Sequence, residues 1–116
     1  MNEIILCTHN PILVKSLYGI LRDEGYSVET ADHPALAVQM VFKSSYSAII
    51  IDSESFGLSV EEAIQIIRSV SPDMRVIVLG CAKHTNDALG IKMPVDLAEF
   101  KQVVRDIHHL GILSIT

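Results

Sequence analysis

Short apolar runs alternate along this chain with stretches whose apolar positions recur every three or four residues. The runs are Ile4 to Cys7, Val28 to Thr30, Ala48 to Ile51 and Val76 to Leu79, with a last, shorter one at Ile91-Lys92-Met93. Unbroken Val/Ile runs of this length predict strands covered on both faces. Between and after them, Pro11 to Glu24, Pro34 to Lys43, Val60 to Val70 and Leu97 to Leu110 carry the helical period. Strand followed by helix, repeated, predicts an α/β fold with a parallel sheet, here as one domain over residues 1–116.

The helical stretches are chemically marked at their starts. Asn10 precedes Pro11, Asp32 precedes His33-Pro34, Ser59-Val60-Glu61-Glu62 has the form of a capping box, and Asp96 precedes the final stretch. Each supplies a side-chain acceptor where helix N–H groups lack carbonyl partners. Gly25 stands where a left-handed residue ends the first helix. The expected core stripes are Ile12, Leu13, Leu17, Ile20 and Leu21 in the first helix, and Ala63, Ile64, Ile67 and Val70 in the third. In the last they are Leu97, Phe100, Val104, Ile107 and Leu110.

One spacing breaks the regularity. Between Leu79 and Ile91 the chain has only Gly80 to Gly90, close to the minimum for a crossover between parallel strands. The fourth helix is therefore expected to be shortened or absent, leaving part of one sheet face thinly covered as a candidate interface.

Composition narrows the function classes. At 116 residues the chain is long enough to bury a core without metal or disulfide support, and 49% hydrophobic with 20% charged residues is a globular balance. A net charge of −5 with scattered Lys and Arg argues against direct nucleic-acid binding. No basic leader opens the chain and no run approaches a membrane span, so a cytoplasmic location is expected. Cys7 and Cys81 stand in apolar settings and read as buried free thiols.

Candidate chemistry centres on Asp52. The third run, Ala48-Ile49-Ile50-Ile51, stops on this carboxylate, and in parallel sheets sites lie beyond the carboxyl ends of the strands. No glycine-rich phosphate loop follows the first strand, because Cys7-Thr8-His9-Asn10-Pro11 contains no glycine. Ser53 and Ser55 lack a nucleophile elbow, and hydrolase activity has no support. His9, Asp52 and Glu54 form a weak metal-site candidate, weighed against an ordinary polar cluster. The C-x-x-H spacing of Cys81 and His84 has no second pair, and His108-His109 suits a helix C-terminus.

Taken in order, these segments resemble the receiver domain of the bacterial response-regulator family. Ile4 to Pro11 resembles its first strand and acidic turn, Glu24 to Val28 the approach to its second strand, and Ile49-Ile50-Ile51-Asp52 its phosphoacceptor strand. Gly57 falls where the following loop carries glycine, Val76 to Leu79 resembles the fourth strand, and Met93-Pro94 the Lys-Pro step after the fifth. The resemblance implies a doubly wound, flavodoxin-like fold with strand order 2-1-3-4-5 and places Asp52 at the phosphoacceptor position. It also implies magnesium held by carboxylates, a lysine and a switch hydroxyl.

Those partners are replaced here. The acidic turn reads Thr8-His9-Asn10, the hydroxyl position is Gly80, the lysine position is Met93, and the aromatic position is Gly90. Lys92 is expected to point away by strand alternation. A neutral imidazole and a hydroxyl are poor ligands for magnesium. The pattern resembles the degenerate receivers that precede some enhancer-binding transcription activators. The expected function is a receiver-like module in two-component signalling, not an enzyme and without a cofactor. It would act through a protein partner or output domain, with a homodimer as one form. Asp52 would be a structural group, accepting a hydrogen bond from Thr8 or His9. The apolar tail Leu110 to Thr116 would pack on a second protomer or lead to an output domain. Two alternatives stand beside this. In one, Asp52 accepts a phosphoryl group with magnesium and help from Glu54, Lys92 or Lys83; in the other, His9 serves a metal or small-ligand sensor.

Overall fold

The computed structural model describes residues 3–54, 59–80, 89–93 and 95–115, with 107–115 by their backbone alone. Five strands form one parallel sheet: β1 (Glu3–Cys7), β2 (Ser27–Ala31), β3 (Ala48–Asp52), β4 (Arg75–Leu79) and β5 (Leu89–Ile91). Their spatial order is β2-β1-β3-β4-β5, as predicted, with every neighbouring pair parallel. The helices are α1 (Pro11–Asp23), α2 (Pro34–Lys43), α3 (Val60–Val70) and α4 (Leu97–Ile115). The crossover residues 81–88 lie outside the described residues, and with them the expectation of a shortened or absent helix there. So do Ser55, Gly57, Cys81, Lys83, His84, Pro94 and the side chains of the apolar tail.

Alternation along the central strands splits the core into two layers. Ile4, Leu6, Ala48, Ile50, Ile77 and Leu79 face α1 and α4, where Leu17, Leu21, Phe100 and Val104 meet them. Ile5, Cys7, Ile49, Ile51, Val76 and Val78 face α2 and α3, against Ala37, Val38, Val41, Ala63 and Ile67. Both faces of β3 are thus apolar, which is why its sequence reads as an uninterrupted run. Each fully buried isoleucine contributes about 1.5–3 kcal/mol relative to exposure.

Three expectations are corrected. β5 runs from Leu89 to Ile91, two residues earlier than Ile91-Lys92-Met93. Gly90 at its centre interrupts the apolar pattern, and its register against Val78 is set by backbone pairing. The residues after it, Lys92 and Met93, are both exposed, so strand alternation does not orient Lys92. Second, the cap of α2 is His33 rather than Asp32, because Pro34 takes the first helical position and leaves the residue before it to cap. Third, Ile12, Val70 and Leu97 at the ends of the core stripes are exposed, since the terminal turns overhang the sheet. The other helix starts stand as predicted. Asn10 Oδ1 accepts from the Ile12 and Leu13 N–H groups, Ser59 Oγ from Glu62, and Asp96 Oδ1 from Ala98 and Glu99. Gly25 has φ of 93° after the C-cap of α1.

Candidate functional site

The carboxyl ends of β1, β3 and β4 bring Thr8, Asp52 and Gly80 to one edge of the sheet. Asp52 is 4% exposed and Thr8 3%; among the described residues they are the buried polar side chains. A buried carboxylate requires hydrogen-bond donors, and described residues donate to each oxygen of Asp52. Thr8 Oγ1 donates to Oδ2 at 2.8 Å, and the Glu54 backbone N–H donates to Oδ1 at 3.0 Å. The second closes a turn of the kind aspartate forms with the residue two positions on.

Thr8 is itself held by the local fold. Its N–H donates to the Ala31 carbonyl at 3.0 Å, extending the β1–β2 ladder past β1. Its Oγ1 accepts from the Asn10 N–H at 3.1 Å while donating to Asp52. Asn10 in turn caps α1. A single hydroxyl therefore joins the start of α1 to the end of β3. The expected bond from Thr8 to Asp52 is present, and His9 and Glu54 are exposed. Among the described residues no group of three or more His, Cys, Asp or Glu is placed to hold a metal ion.

The neighbouring strand end has no side chain. Gly80 has φ of 92°, and a Cβ built there would lie 2.3 Å from Ser53 Oγ and 3.4 Å from Met93 Cγ. Ser53 stands one position past the Asp52–Leu79 register pair, so the two strand-end residues are neighbours. Backbone bonds from Ser53 N–H to Leu79 and from Gly80 N–H to Ile91, at 2.8 and 2.7 Å, fix the ends of β3, β4 and β5. Gly80 thus faces the hydroxyl of the serine just past β3, and the Met93 side chain approaches the same position. The sequence offered Ser53 only as a serine without a nucleophile elbow; its place beside Gly80 follows from extending the Asp52–Leu79 register by one residue.

Electrostatically the edge is acidic beneath the surface. Cys7, fully buried on the opposite face of β1, has its thiol pushed up to about 12 by burial foremost, with the carboxylates of Asp32 and Asp52 adding to it. It is a free thiol.

This architecture is the receiver fold of the response regulators. Over 100% of both chains it superposes on a two-component transcriptional regulator, AraC, of Clostridium phytofermentans, with a TM-score of 0.83 and 16% identity. A chemotaxis response regulator of Vibrio cholerae aligns over 92% of this chain and 98% of its own, with a TM-score of 0.81 and 16% identity. The receiver domain of a sensor histidine kinase of Pseudomonas aeruginosa, with magnesium coordinated in its active-site cleft, is 24% identical. It covers 90% of this chain and 95% of its own at a TM-score of 0.76. No family model and no curated protein matches the sequence. The likeness is therefore one of fold.

Proposed function

We propose that this chain is a receiver-like module of two-component signalling that acts through protein–protein association, with phosphorylation impaired or lost and no enzymatic activity of its own. The supporting observation is the condition of Asp52: both carboxylate oxygens accept hydrogen bonds from the protein, and the side chain is almost wholly buried. A phosphoacceptor must instead present an oxygen to an incoming phosphoryl group, with cations around it to balance the charge.

The donor set fits magnesium poorly. A magnesium ion takes oxygen ligands in near-octahedral array, and carboxylates supply most of its binding energy. Here the Thr8 hydroxyl beside Asp52 is already committed, donating to the carboxylate and accepting from Asn10, and His9 is exposed. Gly80 and Met93 themselves supply neither a hydroxyl nor an ammonium group, and the hydroxyl nearest Gly80 is that of Ser53. Asp52 on this reading is a structural carboxylate that fixes the site turn.

The proposed partner is an output domain or a separate signalling protein, with a homodimer as one form of the association and the cytoplasm as its location. No helix among the described residues is long and apolar enough to cross a membrane. The test is an amide-shift NMR titration with magnesium followed by beryllofluoride. Shifts confined to the immediate surroundings, or absent, are expected; shifts spreading from Asp52 to Gly80 and Met93 would establish a working phosphoacceptor instead. Sedimentation at high concentration addresses the homodimer, and a persistent monomer would remove that form.

A further inference from the structure

The four described helices are capped by four different residues: Asn10, His33, Ser59 and Asp96. Three are common caps, and none of those three side chains ordinarily changes charge near neutral pH. The fourth, His33, is an imidazole, the class of side chain that serves elsewhere as a proton switch. Its Nδ1 accepts the Leu36 N–H at 3.1 Å, from an extended backbone with φ of −154° and ψ of 157°. An imidazole nitrogen can accept only through its lone pair, so Nδ1 carries no proton and the ring proton sits on Nε2. Asp32 Oδ1 lies 3.6 Å from that Nε2. Its negative charge favours a proton there, which leaves Nδ1 free to cap.

We propose that His33 is a proton-sensitive cap of α2, with Asp32 selecting the tautomer that caps. Protonation gives the ring two N–H donors, and Nδ1–H then faces the Leu36 N–H. The first turn of α2 loses its side-chain acceptor and gains a positive charge at the positive end of the helix dipole. Asp32 attracts the same charge but cannot restore the acceptor. The ring is exposed, with 47% of its side chain accessible, so protons reach it without unfolding.

Charged groups on the elements packed against α2 do not duplicate the step. On β1 the Cys7 thiol, near Asp32, is pushed up to about 12 and stays neutral. On β2 Glu29 accepts from the Tyr46 hydroxyl, and on α3 Glu61 and Glu62 occupy the first turn. None of these groups is the acceptor of the Leu36 N–H, which is His33 Nδ1. The location carries the consequence. Ala31, two residues before His33, accepts the Thr8 N–H, so the acid-sensitive turn adjoins the support of Asp52. The proposal goes beyond the reading of Asp52 and does not depend on it.

The test is an NMR pH titration of the full chain, followed at the His33 ring and at the Leu36 amide. The Leu36 amide is expected to shift together with the His33 ring. Its hydrogen exchange, corrected for the intrinsic pH dependence, should accelerate about fivefold across that transition, the scale of a lost cap. In His33→Asn, which can cap without titrating, the Leu36 amide should stay flat, and His33→Ser serves if that variant folds poorly. Ring nitrogen shifts at neutral pH should show the Nε2–H tautomer. An Nδ1–H tautomer, a Leu36 amide that ignores the His33 transition, or the same transition in His33→Asn would each overturn the proposal.

Discussion

The ends of β3 and β4 are neighbours in one sheet and are held by opposite means. At the β3 end a charged side chain is buried and tied on both oxygens by Thr8 and the Glu54 backbone. At the β4 end the side chain is missing, the backbone turns through a positive φ, and a serine from next door takes the adjacent space. The first end is specified by what its neighbours donate and the second by what it lacks. A strand end can therefore be fixed by two routes, one through a buried side chain held by its neighbours and the other through the absence of a side chain.

The largest expected effect that would break this comparison is at the β3 end. Thr8→Val keeps the shape but leaves a buried carboxylate oxygen without its donor, and should cost about 2–3 kcal/mol in denaturant unfolding. A loss below about 0.5 kcal/mol, the scatter of neutral surface substitutions, would mean that the bond does not hold this strand end. Asp52→Asn, whose amide can donate to Thr8 and still accept from Glu54, should cost clearly less than Thr8→Val.

At the other end, Gly80→Ala should cost about 1–2 kcal/mol for the left-handed backbone. Gly25 supplies the control, with a φ of 93° and nothing within 4 Å of the position a Cβ would take. Gly25→Ala should therefore register the backbone term alone. Gly80→Ala should exceed it by a few tenths of a kcal/mol, because Ser53 must turn its hydroxyl to another rotamer. Equal costs would mean that Ser53 does not compete for this space.

A kinetic measurement sharpens the contrast between buried and accessible groups. With its thiol pushed up to about 12 and no exposed surface, Cys7 should be protected from a thiol reagent at neutral pH and react at the rate of global unfolding. Faster labelling of Cys7 would reveal local opening beside Thr8.

The smallest effect lies away from both strand ends. Tyr46 donates to Glu29 at 2.8 Å, and its hydroxyl is pushed up to about 12, by burial first and then by Glu29. The unfolded chain ionises this phenol first, so its contribution is present below about pH 10 and lost as pH rises toward about 12. Tyr46→Phe should remove that slope while changing stability at neutral pH only slightly.

Much of this architecture was legible because periodicity and caps agreed. Pro34–Lys43 and Val60–Val70 fell where helical spacing and a preceding acceptor coincided, and β3 announced itself by a run apolar on both faces. The misreadings share a cause. Gly90 hid β5 because a glycine in a short edge strand contributes no apolar signal, and the paired backbone that defines it is invisible in sequence. His33 was passed over for Asp32 because residue type was weighed above position; the parallel with Asn10-Pro11, in which the residue before proline caps, points to it. At the site, Thr8, Asp52, Gly80 and Met93 could be placed from the order of strands. The proximity of Ser53 to Gly80 needed the register between β3 and β4, which alternation alone does not specify.

The hydrogen bond from Thr8 to Asp52 joins residues 44 positions apart. It cannot form until the β2–α2 unit has been looped out and β1 has met β3, so most of the loop entropy is spent before the bond exists. A contact made after the rate-limiting assembly acts chiefly on the lifetime of the folded state rather than on the speed of reaching it. The hydroxyl of Thr8 is in that sense a latch on the loop of chain that runs from β1 to β3.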